Sequence, residues 1–287
     1  MAEYVIFTDS SCDLPNDKIA EYGLKVASLE LNIEGKGTVL NHEIDPKEAY
    51  ALLREKHTIK TAAANMDKFI ELFEKELVEG KDVLYLGFSS GLSATFMSGK
   101  NAAEELSEKY PERKVIAIDT LCASLGQGLL VTLACRKKDE GATIDEVAEY
   151  VEQTKLHLCH WFTVDDLFFL KRGGRISAAT AIVGTMLSFK PVLHVDNEGH
   201  LINITKVRGR RAAIAALAEK MKETAIDPAN QTVYICHGDC YDDAKLLADM
   251  VTEQFGITDI LIDYTGPVIG AHSGPGTLAL FYIGTER

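Results

Sequence analysis

Three short apolar runs, at residues 4–8 (YVIFT), 83–87 (VLYLG) and 115–119 (VIAID), each lead into a turn of small or polar residues and then a helix-forming stretch. Strands that are apolar on both faces must be covered on both faces. The intervening helices supply that cover, so the pattern predicts a parallel α/β sheet. The helices carry start signals. Asp13-Leu14-Pro15 and Asp45-Pro46-Lys47-Glu48 each place an acidic cap beside a first-turn proline. Thr143-Ile144-Asp145-Glu146 is a capping box that opens a helix to residue 155. Phe69, Ile70, Phe73 and Leu77 form a helical stripe over 66–79, and 24–33 reads as one further strand.

In sheets of this kind ligands bind beyond the carboxyl ends of the strands, near helix N-termini. Those positions hold Thr8-Asp9-Ser10-Ser11, Ser89-Ser90-Gly91-Leu92-Ser93 and Asp119-Thr120. Three hydroxyl-rich turns on one sheet edge are the first pointer to a site. After residue 160 the rhythm changes. Runs at 192–195 and 201–206 face each other across Asn197-Glu198-Gly199, a hairpin-type turn. A helix over 210–224, a strand at 233–236, a helix over 242–254 and a strand at 259–262 follow. A glycine-rich segment, 270–277, then leads into an apolar strand ending at Ile283. The reading is two closely packed domains, 1–160 and 161–287. The second has a mixed sheet, and a helix near 62–80 is expected to pack with it.

Composition narrows the functional classes. A net charge of −13 argues against a nucleic-acid partner, which needs a basic face. The charge is uneven, however: between residues 165 and 215, eight Lys or Arg stand against four Asp or Glu. A basic island on an acidic protein suits a localised anionic partner. No apolar run is long enough to span a bilayer, and Met1-Ala2-Glu3 enters the first strand without a basic leader. A cytoplasmic location is therefore expected. The six cysteines lack a CxxC pair and read as reduced thiols. Cys236, His237 and Cys240 are too few for a metal site, and none is expected. No surface pattern calls for more than a monomer.

Two motifs need weighing. Gly87-Phe88-Ser89-Ser90-Gly91 matches the GxSxG nucleophile elbow, which would make a lipase or esterase with Ser89 or Ser93 as nucleophile and His272 as base. Against it, few strands precede the turn, no HGGG-type segment supplies an oxyanion hole, and no acidic residue is singled out to orient the histidine. The same segment also suits a carboxylate, because hydroxyls and free backbone N–H groups at a helix start hold an anion without a fixed counter-charge. A sugar- or triose-phosphate-binding enzyme is a third class. Lys171-Arg172-Gly173-Gly174-Arg175 is a basic glycine turn without the GK[ST] ending of a phosphate loop.

Together these segments resemble the DegV family of bacterial fatty-acid-binding proteins. The matching pieces run in family order: VIFTDSSCDLP, SSGLSAT, VIAIDT, LKRGGRIS, KPVLHVDNEGHL, KVRGRRAA and GPVIGAHSGPGT. The resemblance implies a two-domain fold, a Rossmann-like parallel sheet followed by an α/β domain with a mixed sheet. It implies one long-chain fatty acid as ligand and no cofactor. Ser93, Thr61 and His272 would hold the carboxylate. Ser90, Gly91, Leu92, Gly274, Gly276 and Thr277 would lie along the pocket. It further implies that the protein is not itself the catalyst. A separate fatty acid kinase would phosphorylate the bound acid, feeding phospholipid synthesis, and Arg175 and Arg208 would engage that kinase or the phosphate. One departure stands out: where the family carries a TSxPS-like segment, this chain reads Lys60-Thr61-Ala62-Ala63-Ala64.

Overall fold

The computed structural model describes residues 3–177 and 188–287. Residues 178–187, inside the basic stretch, lie outside the described residues. The expected parallel sheet is present as β2 (Lys25–Ala27), β1 (Tyr4–Asp9), β6 (Asp82–Gly87) and β7 (Val115–Asp119), in that order. Its alternation explains the two-faced burial. Val5, Phe7, Val83 and Tyr85 turn to one face and pack with α3 (Met66–Val78) and α4 (Thr95–Lys109). Tyr4, Ile6, Leu84 and Leu86 turn to the other and meet α5 (Leu125–Asp139) and α6 (Ile144–Thr154).

The second sheet runs β10 (Leu201–Arg208), β9 (Phe189–Val195), β8 (Leu158–Thr163), β13 (Leu278–Ile283), β11 (Val233–His237), β12 (Ile260–Tyr264). Only β11–β12 is parallel, so the sheet is mixed. One face packs on α8 (Arg210–Thr224) and α9 (Tyr241–Phe255) through Ile214, Leu217, Leu247 and Val251. The other carries Phe162, Tyr234, Ala279 and Phe281 toward α5. Helix α5 therefore lies between the two sheets and is buried on nearly every side over 125–135, where only Gln127 and Thr132 are polar, before its charged last turn.

Several local readings are corrected. The run 24–33 is not one strand: β2 joins the parallel sheet, while β3 (Glu30–Ile33) pairs with β4 (Gly37–Leu40) and β5 (Ile59–Ala62) in a small antiparallel sheet. The break falls at Leu29, whose N–H donates to the Ser10 hydroxyl instead of a strand. Asp13 does not cap α1 (Asn16–Glu21). It sits in the left-handed region (φ 53) and its carboxylate accepts from Ser124. By contrast, the caps at Asp45 for α2 (Pro46–Arg54) and Thr143 for α6 form as read. The division expected at residue 160 falls inside β8. Helix α3 packs on α4, β6 and β2, and its Phe69 and Phe73 share a cluster with Val268 and Ala271 of α10 (Pro267–Ser273).

Candidate functional site

Beyond the carboxyl ends of β6 and β7, where α5 begins between the sheets, lies a cavity of about 240 Å³. Its floor is set by register. Phe162, Ala279 and Cys236 are cross-strand neighbours on β8, β13 and β11, all facing the same way, and all line it. One side is helical: Val268, Ile269, His272 and Ser273 of α10 fall at i, i+1, i+4 and i+5, and Thr265 lies just before the helix. That stripe is polar at both ends and apolar between them.

The His272 end gathers the residues expected to hold an anion. Thr61 on β5, Ser93 before α4, His272 and Arg175 all line the cavity. Thr61 Oγ1 and His272 Nε2 are 2.7 Å apart. The Ser93 hydroxyl lies 2.9 Å from Thr95 Oγ1 and accepts from the Thr95 N–H at the start of α4. Arg175 Nε donates to Leu92 O at 3.1 Å and its Nη1 to Gly173 O, which ties the glycine turn to the serine turn. Among the described residues Arg175 is the one charged side chain lining the cavity. Gly173, which ends α7 (Leu167–Arg172), has a reason of its own: a Cβ there would overlap the His272 ring at Nδ1.

Burial, with Arg175 and Arg172 nearby, lowers the His272 pKa to about 4. The ring is therefore neutral at physiological pH. Because the folded pKa lies below that of a free imidazole, this group stabilises the fold fully above pH 6.5. That stability is lost as pH falls toward 4, at up to about 1.4 kcal/mol per pH unit. A His272→Gln variant should flatten the pH dependence of thermal unfolding across that window. In the wild-type protein the His272 ring resonances should titrate near pH 4. Titration near 6.5 would mean the ring stands in water.

Other expected positions separate. Leu92 and Thr277 line the cavity; Ser90, Gly91, Gly274 and Gly276 do not. Ser90 is exposed and its N–H donates to Asp119. Gly91 lets the serine turn pack on the β9–β10 hairpin, since a Cβ would press on the Glu198 carbonyl. Gly274 and Gly276, at φ 81 and 79, turn the backbone against Phe169 and Asp165. Arg208 is exposed at the end of β10, away from the lining.

The nucleophile-elbow reading of Ser89 fails on geometry. Ser89 is fully buried, off the cavity, and its hydroxyl donates to Gly199 O at 2.9 Å. Of the three hydroxyl-rich turns, only the serine turn borders this cavity. Asp9 accepts from Tyr85 Oη and the Phe88 N–H, and Thr120 donates to Gly87 O, so the other two brace it. Cys236 accepts from Thr265 and lies 3.3 Å from the Ser124 hydroxyl oxygen, and among the described residues no cluster of three His, Cys, Asp or Glu is placed to hold a metal.

Sequence reading missed the far end: Ser124, His160, Cys236 and Thr265. His160 Nε2 accepts from the Ala123 N–H and its Nδ1 lies 3.0 Å from Leu158 O. Burial first, then Arg287, keeps it neutral. The helical spacing around His272 is present in GPVIGAHS, but the sequence reads there only as a glycine-rich segment before the last strand. The rest lie on four separate segments and carry no joint signal.

These features define an α/β protein of two large sheets and a small third one around an internal cavity, apolar along its length and polar at its ends. The chain belongs to the DegV family, described as uncharacterised proteins, whose sequence profile matches residues 3–285. A DegV domain-containing protein of Clostridium perfringens is 44% identical over 289 residues, covering 100% of this chain and 99% of that one. The solved DegV family protein of Thermus thermophilus, described as binding fatty acid, is 30% identical. Its TM-score is 0.87, over 98% of this chain and 99% of that one. A DegV lipid binding protein of Thermotoga maritima is 29% identical with a TM-score of 0.85, over 99% of each chain. Among the described residues no helix is long and apolar enough to cross a membrane.

Proposed function

We propose that this protein binds one long-chain fatty acid in the cavity and presents its carboxylate to a separate fatty acid kinase. The carboxylate oxygen would accept the γ-phosphoryl group of ATP, leaving ADP and an acyl phosphate for phospholipid synthesis. The observation that carries the reading is the composition of the cavity: a largely hydrocarbon wall, ended by Thr61, Ser93 and neutral His272, with Arg175 as its one charged side chain among the described residues. The relatives described as fatty-acid-binding support it. Affinity is of the right size. Burying ~14 methylenes at ~0.8 kcal/mol each yields roughly 11 kcal/mol, of which association and ordering consume several. Hydroxyl hydrogen bonds add about 0.5–1.5 kcal/mol each and chiefly fix orientation.

Native mass spectrometry of the purified protein should show one bound mass that organic extraction identifies as a long-chain acid. An extract without lipid, together with stabilisation by a polar phosphate, would favour the sugar-phosphate class instead. The kinase part has its own test. Arg208→Ala, exposed and off the cavity, should retain lipid and slow phosphoryl transfer about tenfold, the size of a charge-assisted contact of ~1.4 kcal/mol. Unchanged transfer would remove Arg208 from the kinase surface.

A further inference from the structure

A second, larger hollow of about 720 Å³ lies behind the Thr265 end of the cavity. The two hollows share a wall one residue thick. Leu29 faces the cavity and Ser28 the groove; Thr265 faces the cavity and Gly266 the groove; Val268 and Pro267 divide in the same way. The remaining piece of wall is a side-chain pair. Ser124 lines the cavity, Asp13 lines the groove, and the Ser124 hydroxyl donates to Asp13 Oδ2 at 2.5 Å.

Both members are held in unusual conformations. Ser124 has φ 54 and ψ −146, and Asp13 has φ 53, regions that non-glycine residues occupy only when their surroundings fix them. Gly266 leaves room for Asp13, because a Cβ there would overlap the carboxylate. Cys236 backs the pair, its Sγ lying 3.3 Å from the Ser124 hydroxyl oxygen and accepting from Thr265 at 3.0 Å. A wall of polar atoms, with Asp13 Oδ2 bonded to Ser124 and Asp13 Oδ1 buried without a partner among the described residues, makes a poor surface for a methyl terminus to push through. The groove behind them is not wholly polar, for Leu14, Ile19, Val26 and Ile44 line it.

Resting on the fatty-acid reading above, we infer that the Ser124–Asp13 pair is the end stop of the acyl cavity and sets the longest chain it accepts. A chain that reaches the pair gains nothing from a further methylene unless the wall opens into the groove.

The test compares a series of saturated fatty acids of increasing length by competition against a fluorescent fatty acid. Wild-type affinity should rise with length and then flatten. In Ser124→Gly and in Asp13→Ala the rise should continue into longer chains, at about fourfold per added methylene. Ser124→Gly carries little folding risk, since glycine tolerates the left-handed backbone that serine is forced to adopt. Variants that bind as wild type does and flatten at the same length would overturn the end stop, as would a wild-type profile without a plateau. If the wild-type protein binds no fatty acid of any length, the proposed function falls and the end stop falls with it, an outcome distinct from variants that bind and flatten as wild type does.

Discussion

Replacing Ala279 by phenylalanine should lower fatty-acid affinity about a hundredfold while leaving the fold intact. Ala279 is the second residue of β13, 4% exposed, between Phe162 and Cys236 in register, and all three form the cavity floor. Its neighbours along the strand, Leu278 and Leu280, point to the opposite core, so the small side chain at 279 is what leaves room for a guest. A phenyl ring would take the place of about four methylenes of acyl chain, roughly 3 kcal/mol of transfer free energy. Native mass spectrometry should find the variant empty, and thermal unfolding should show a melting temperature no lower than that of the lipid-free wild-type protein, because a void has been filled. A variant that retains its lipid would show that the acyl chain does not cross β13.

The second large effect runs against the usual helix preference. Gly→Ala inside a helix ordinarily stabilises by up to about 1 kcal/mol. At Gly126 in α5 it should destabilise by about 2 kcal/mol or more. A Cβ there would overlap Nε2 of His160 and stand 2.8 Å from Phe281 Cδ1. The ring cannot move aside cheaply, held as it is by Leu158 O and the Ala123 N–H. A fall in melting temperature of roughly 5 °C or more is expected. Adding His160→Ala should recover much of it, since the clash partner is gone. A Gly126→Ala protein as stable as wild type would mean that α5 shifts freely between the sheets.

The parallel sheet was legible because its cause is local. Two-faced apolar runs admit few other folds, and β1, β6 and β7 appear where YVIFT, VLYLG and VIAID predicted them. Capping at Asp45 and Thr143 was equally local. The misreadings share one origin. Asp13 has the chemistry of a helix cap, yet a serine 111 residues away takes its carboxylate. Residues 24–33 have the pattern of one strand, yet the Ser10 side chain breaks it. Ser89 fits a nucleophile motif, yet the hairpin at Gly199 consumes its hydroxyl.

What the sequence alone determined is therefore the layered α/β character and the polar residues gathered near the strand ends, both consequences of burial pattern and hydrogen-bonding chemistry along short stretches. Only the tertiary structure decided which of those hydroxyls face a void and which are spent as braces. It also decided that the void is bounded by Thr61, Ser93 and His272 together with Ser124 and Thr265. The physical reason is that a cavity is made of what the surrounding segments leave unfilled. That remainder depends on the meeting of β5, α5, α10 and two sheets, and no single stretch of chain encodes it.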